Sequence, residues 1–430
     1  MAATQVTFQE LKHEGLEAVD PEIARLLGDE LERQRGQIEL IASENFTWPA
    51  VLECQGSVLT NKYAEGYPGR RYYGGCEVID EIEELAIDRA KELFGAEHAN
   101  VQPHAGAQTN MAVYAAVMEP GDTLMALALN QGGHLTHGHK VNFSGRLYNV
   151  AHYEVSRETM TVDYDDVLAR AKEARPKVLV CGGSAYPRTV ETDRFRAIAD
   201  EVGAILVCDM AHFAGLVAAG LQPNPVEHCD FVTSTTHKTL AGPRAGFILC
   251  REEHAKALDS AVMPGMQGGP LEHTIAAKAT CFRIAGTDAF REYQAQVRSN
   301  ADTLGETLLE GGLSLVTGGT DTHLLLVDLS RSEWTGKAAE ERLGEIGVTV
   351  NRNTIPFDER SPFVTSGIRL GSPAMTMRGF DEDDFREVGR LIVGALAAEP
   401  DLDGLRARAD ALCERRPLYP GFRGYTTYVA

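Results

Sequence analysis

The run Thr233-Ser234-Thr235-Thr236-His237-Lys238 ends in a lysine set between an apolar stretch and the turn-rich Thr239-Leu240-Ala241-Gly242-Pro243-Arg244. A lysine reaching from a strand end into a pocket can form an imine with an aldehyde cofactor. It must first lose its proton, which desolvation and nearby positive charge favour. Upstream, Asp209 closes an apolar run over 204–209 and is followed by Met210-Ala211-His212. Ligands of open α/β folds bind at the carboxyl edge of the sheet, where such an aspartate sits. Facing a pyridine nitrogen, it would keep that nitrogen protonated and make the ring a better electron sink. His212 could reach the same ring's phenolic oxygen. Singly, these are a solvated lysine, a capping aspartate and a core histidine. Together, on successive strands, they point to one site.

Further candidates lie elsewhere in the chain. Pro103-His104-Ala105-Gly106-Ala107-Gln108-Thr109-Asn110 precedes an apolar segment, and small residues opening a helix expose N–H groups that suit a phosphate. Gly132-Gly133-His134-Leu135-Thr136-His137-Gly138-His139 places three histidines close together without a cysteine or an acid beside them. A metal is therefore not expected, and an imidazole stacked on an aromatic cofactor is the competing role for His134. The stretch 61–75 packs tyrosines, Glu65 and two arginines among glycines and prolines. Such a segment reads either as a binding loop or as an exposed tyrosine-rich surface. Arg369 follows the loop-like 361–368; its planar fork suits a carboxylate, with a structural ion pair as the alternative.

The elements that must position these residues alternate in type. Short apolar strands at 178–181, 204–209, 229–234 and 246–250, with a helix at 192–202, predict a mostly parallel sheet covered on both faces. Helices are expected at 21–35 and 80–94. After a long polar helix over 290–309 the pattern changes to a strand at 323–329, a helix at 337–345, strands at 348–350 and 368–370, and a helix at 381–398. The expected organisation is an N-terminal arm (1–35), a large domain (36–285) and a smaller α+β domain (286–430).

Bulk composition narrows the partners. The 62 acids against 41 Lys and Arg give a net charge of −21, so neither nucleic acid nor an anionic membrane is an expected partner. The start of the chain lacks a basic region followed by an apolar stretch, and no apolar run approaches a bilayer span. Eight cysteines without CxxC spacing fit a reduced, cytoplasmic protein.

Taken together, the segments 39–45, 61–75, 132–138, 209–220, 235–244, 265–270 and 361–369 resemble the signature stretches of the serine hydroxymethyltransferase family. The resemblance runs from about Glu39 to the C-terminal region. It implies an α/β, fold-type I enzyme dependent on pyridoxal 5'-phosphate (PLP), built as a homodimer or dimer of dimers with sites between subunits. By this resemblance Lys238 is the Schiff-base lysine, Asp209 pairs with the pyridine nitrogen and His134 stacks on the ring. Ser184 and His212 would contact the ring oxygen. Gly106, Ala107 and Gln108 would cradle the phosphate with Gly268 and Gly269 of the neighbouring subunit. Ser43 and Arg369 would hold the substrate carboxylate, supported by His237 and Arg244, with Thr235 beside the lysine. Glu65 would act as acid–base group, flanked by Tyr63 and Tyr73. Tyr72, Leu129, Gly133, Leu135 and Asn353, with Glu65, would meet the folate.

The activity implied is reversible transfer of serine's hydroxymethyl carbon to tetrahydrofolate, giving glycine and 5,10-methylenetetrahydrofolate. Two departures keep a specialised relative open, namely an α-methylserine hydroxymethyltransferase or a threonine aldolase or transaldolase. Ala105 stands where the family commonly has serine, and Asn130-Gln131 differs from the residues expected beside the folate.

Overall fold

The computed structural model describes residues 8–425. Its larger unit is built on seven strands: β1 (His98–Asn100), β2 (Thr123–Leu127), β3 (Asn149–Tyr153), β4 (Val178–Gly182), β5 (Ile205–Asp209), β6 (Phe231–Thr235) and β7 (Gly246–Cys250). They lie in the order β1-β7-β6-β5-β4-β2-β3. The run from β3 to β6 is parallel, and β7 pairs antiparallel with both β6 and β1. The strands read as unbroken apolar runs because both faces are covered. Leu179, Cys181, Leu206 and Cys208 enter one hydrophobic layer, while Val178, Val180 and Val207 enter the other. The period of two survives, hidden by the absence of a solvent face.

Parallel topology brings the carboxyl ends of β4, β5 and β6 side by side, with Gly182 opposite Asp209 and Asp209 opposite Thr233. The approach is close enough to dictate a residue. Gly182 has φ +92°, and a Cβ there would lie 2.1 Å from the Asp209 carbonyl oxygen. Helices α1 (Glu77–Phe94), α2 (Gly106–Val117) and α3 (Glu272–Ala285) pack around this sheet, and α4 (Asp288–Glu310) leads into the smaller unit.

That unit holds an antiparallel sheet of β8 (Ser314–Leu315), β9 (Leu324–Asp328), β10 (Asn351–Asn353) and β11 (Gly367–Gly371), in the order β8-β9-β11-β10. Against it pack α4 and α5 (Glu382–Ala395), the latter started by a capping box between Asp381 and Asp384. The seven-stranded mixed sheet with a smaller C-terminal unit is the fold-type I architecture that the resemblance implies.

Several boundaries differ from the sequence reading. The helix expected at 80–94 begins at Glu77, and the strand expected at 229–234 is shifted to Phe231–Thr235. Strands β2 and β3 were not among those expected, although Pro120-Gly121-Asp122 marks a turn just before β2. Residues 36–46 were grouped with the large domain. In the structure, Ile38–Glu39 instead pairs in parallel with Val348–Thr349, and Ile38, Leu40 and Phe46 join the core of the smaller unit. Of the N-terminal arm, residues 1–7 lie outside the described residues. Its helix Pro21–Arg35 is capped by Asp20 and tied to the other end of the chain through Arg35, which donates to the carbonyls of Leu418, Tyr419 and Phe422.

All eight cysteines are free. Cys181, Cys208 and Cys229 bring their sulfurs within 4.8 Å of one another inside one hydrophobic layer, a cluster their sequence spacing does not reveal. Among the described residues no helix is long and apolar enough to cross a membrane.

The segment after Ile38–Glu39 runs along β11. Gly371 N–H donates to the Leu40 carbonyl at 2.8 Å, and a Cβ at Gly371 would come within 2.5 Å of the Ala42 backbone. This approach sets Ser43 beside Arg369. A Gly371→Val substitution must push the two segments apart, and is expected to lower the urea-unfolding free energy by about 1–3 kcal/mol. An unchanged midpoint would contradict the close packing.

Candidate active site

At the carboxyl edge of the large sheet a cavity of about 390 Å³ opens, lined by residues of both units. It gathers Ser43, Gly106, Ala107, His134, Ser184, Asp209, His212, Thr235, His237, Lys238, Arg244 and Arg369. Those residues come from segments scattered over more than three hundred positions, so the grouping is a product of the fold.

Asp209 is the best-held group. One oxygen accepts from Asn110 Nδ2 at 2.9 Å and His137 Nε2 at 3.1 Å, and the other from the Ala211 N–H at 3.1 Å. Burial alone would raise its pKa. The His137 hydrogen bond and the nearby imidazoles and Lys238 amine outweigh burial and hold it well below the usual carboxylate range. His137 accepts at Nδ1 from the His134 N–H at 3.2 Å, which leaves Nε2 to donate to Asp209. Asn110 is itself oriented, accepting from Thr233 Oγ1 at 2.6 Å and donating to Thr136 Oγ1 at 2.7 Å. Thr136 in turn bonds His134 Nδ1 at 2.7 Å, fixing that imidazole at the cavity wall.

Across the cavity Lys238 makes no ion pair among the described residues. Burial lowers its pKa to about 8; Asp209 opposes that shift, while Arg369 and Arg244 add to it. His212 stacks on His323 with ring centroids 5.6 Å apart, and Nδ1 of one meets Nε2 of the other at 3.4 Å. Burial pushes the pKa of both down, His323 to about 3.

Arg369 is buried, bonded through Nε to Asn351 Oδ1 at 3.1 Å, through Nη1 to the Ser184 carbonyl at 2.6 Å and through Nη2 to Ser43 Oγ at 3.3 Å. No carboxylate among the described residues pairs with it, and burial lowers its pKa to about 10. The structural ion pair weighed from the sequence is therefore absent. A buried guanidinium held by neutral acceptors suits the binding of an anion.

Helix α2 starts at the cavity. Ala105 caps it without a side-chain hydrogen bond, and its carbonyl accepts from the Gln108 and Thr109 N–H groups. The N–H groups of Gly106 and Ala107 are left facing the cavity, whereas Gln108 is outside its lining. A Cβ at Gly106 would lie 2.6 Å from Thr235 Cγ2, so the helix start approaches β6 as closely as glycine allows. Thr235 Oγ1, buried here, lacks a protein partner, as does His237 Nδ1.

A model of the serine hydroxymethyltransferase family matches residues 16–392. The chain belongs to that family. The serine hydroxymethyltransferase of Kocuria rhizophila is 59% identical over 418 residues, covering 96% of this chain and 99% of that protein.

Not every residue expected from the family signatures reaches this cavity. Tyr63, Glu65, Tyr73, Gly268 and Gly269 form a second cluster outside its lining. Tyr63 donates to Glu65 Oε1 at 2.9 Å and packs edge-on against Tyr73 at 4.8 Å. Gly268 and Gly269 approach Glu65 and Tyr63 so closely that a Cβ on either would lie about 3 Å from them. Tyr72 is exposed beside this cluster, its N–H bonded to the Glu65 carbonyl. Leu129, Leu135 and Asn353 are also outside the cavity lining. Gly133 is needed for packing, since a Cβ there would lie 2.1 Å from the Leu127 carbonyl oxygen. The sequence reading missed Asn110, His137 and His323. Asn110 and His137 sit within motifs already singled out, but their hydrogen bonds to Asp209 cross 99 and 72 residues.

With its pKa lowered to about 8, the Lys238 amine gains its free form well below the pH at which an exposed lysine does. Capture of an added aromatic aldehyde is expected to accelerate about tenfold per pH unit up to that point and to level off above it. Stopped-flow absorbance across a pH series measures this; a rise that continues unbroken to about pH 10 would refute the lowered pKa.

Proposed function

We propose that this protein is a PLP-dependent serine hydroxymethyltransferase, moving the hydroxymethyl carbon of serine to tetrahydrofolate to give glycine and 5,10-methylenetetrahydrofolate. The observation that carries the reading is the joint presence, in one cavity, of Lys238 with a lowered pKa, the firmly held Asp209 carboxylate and the unpaired Arg369.

The residues present fit the cofactor. Lys238 is the amine for its aldehyde, Asp209 the partner for its ring nitrogen and His134 the imidazole against its face. The Gly106 and Ala107 N–H groups and the unpartnered Thr235 hydroxyl face its phosphate end. Once bound, PLP supplies a protonated ring able to take up the electrons of the serine Cα–Cβ bond. Asp209 keeps a proton on the pyridine nitrogen because its own pKa is far too low to accept it. Ser184 and His212 stand at the ring oxygen. Arg369 and Ser43 clamp the serine carboxylate, which orients the side chain that must leave. His237 and Arg244 support that clamp.

In this reading the protein is a homodimer or a dimer of dimers. The partner subunit's Glu65, with Tyr63 and Tyr73 beside it, completes the cavity, and the glycine pair at 268–269 closes on the partner's phosphate. What supports this is the separation of the two clusters in one chain and the 47–72% exposure of Tyr63, Tyr72 and Tyr73. Glu65 there moves the proton of the serine hydroxyl, and Tyr72, Leu129, Gly133, Leu135 and Asn353 receive the folate.

Steady-state assays with serine, α-methylserine and threonine, each with and without tetrahydrofolate, test the reading. Serine turnover is expected to need folate and Lys238→Ala to reduce it by roughly three orders of magnitude or more. Comparable threonine cleavage with and without folate would favour an aldolase instead. For the shared site, mixing inactive Lys238→Ala and Glu65→Gln chains is expected to restore roughly a quarter of wild-type turnover by forming hybrids that keep one intact cavity. No restoration, with subunit exchange demonstrated by mass, would place Glu65 in its own chain's site.

A further inference from the structure

Lys278 lies on α3, a short way beyond the Gly268-Gly269 pair, and is buried, 1% exposed. Its ammonium donates to three main-chain carbonyls: Val101 at 2.6 Å, Gly246 at 2.8 Å and Pro103 at 3.0 Å. An ammonium has three N–H donors and a neutral amine only two, so the arrangement suits the charged form. Burial opposes that charge and lowers the pKa to about 7, while Glu83 and Glu272 draw it upward. A cation this deep is costly unless every donor is used, and here every donor is used on the frame of one feature.

Val101 and Pro103 lead directly into the start of α2. Gly246 opens β7, its N–H donates to the Pro103 carbonyl at 3.2 Å, and a Cβ on it would lie 2.9 Å from the Ala105 carbonyl oxygen. Gln267 braces the same stretch from the other side, accepting from the His104 N–H at 3.1 Å and donating to the Gln102 carbonyl at 3.0 Å. From Gln102 the bonding continues outward through Glu83 and the Gly66 carbonyl to Arg71, which holds the carbonyls on either side of Glu65. One buried polar chain thus joins the α2 start to the Glu65 loop and to the segment bearing the glycine pair.

We infer that Lys278 is a positioning residue for the phosphate end of the cofactor: it pegs the 101–105 segment against β7, so that the Gly106 and Ala107 N–H groups converge on one point. The inference rests on the reading that those groups face a phosphate. It makes Lys278 matter for the phosphate rather than for the ring, since it touches neither Lys238 nor Asp209.

The test is equilibrium dialysis of full-length Lys278→Met against PLP and, separately, against pyridoxal lacking the phosphate, with wild type in parallel. PLP affinity is expected to fall at least about fivefold more than pyridoxal affinity, since the charge-assisted bonds that hold the segment are lost. Equal losses for both ligands, or no loss for either, would overturn the inference and leave Lys278 as ordinary scaffold. Should the methionine variant fail to fold by circular dichroism and gel filtration, Gln267→Leu is judged by the same ratio. Failure of the phosphate reading itself is separable, because it would show in wild type as no preference for PLP over pyridoxal.

Discussion

A carboxylate buried at the end of a strand must be solvated by the protein, and the way Asp209 is solvated organises everything around it. Its three donors come from α2, from the 132–138 loop and from its own turn. Each of those segments also supplies or carries a lining residue of the cavity: Gly106, His134 and His212. The charge is needed as well as the geometry. Lys238, Arg244 and Arg369 share that space with Asp209 and Glu44, and the fixed Asp209 anion opposes the loss of charge that burial and the arginines impose on Lys238. Weakening the hold on Asp209 would disturb the placement of its carboxylate and the acidity of Lys238 together.

Much of this was legible in the chain, and the limit of legibility follows the range of the interactions. The strand-end residues Asp209, His212 and Lys238 could be read because a strand and the turn after it are local objects. The helix at 192–202 was legible in full, its apolar face and its stop at Gly203 both being local. Asn110 and His137 were not, because their value lies in a partner brought close only by the parallel crossovers. Residues 36–46 were misgrouped for the same reason. Pairing of Ile38–Glu39 with Val348–Thr349 spans 310 positions, and no periodicity within the segment announces it. Glu65 and the glycine pair came from the family resemblance, which already assigns the pair to a neighbouring subunit; that Glu65 and its tyrosines lie apart from the cavity appears only once the chain is folded.

Two bodies contribute to the site in different ways. The large sheet offers strand ends and the turns after them, carrying the Lys238 amine and the Asp209 carboxylate. Arg369 comes instead from β11 of the smaller sheet, and Ser43 from the segment laid along it. Lys238 and Asp209 on one side and Arg369 and Ser43 on the other thus rest on separate hydrophobic cores, so a ligand spanning both would stitch the two together. The Arg369 bond to the Ser184 carbonyl, just beyond β4, is a link of that kind already present.

The guanidinium of Arg369 has a thermodynamic consequence of its own. The folded protein holds a desolvated cation with no counter-ion among the described residues, whereas the unfolded chain exposes it to water. Any small molecule presenting a carboxylate at that spot relieves the native state alone, even one with nothing to react. Melting temperature should therefore climb with added glycine or a simple organic acid in proportion to occupancy, and the protein would register its substrates first as a gain in cohesion.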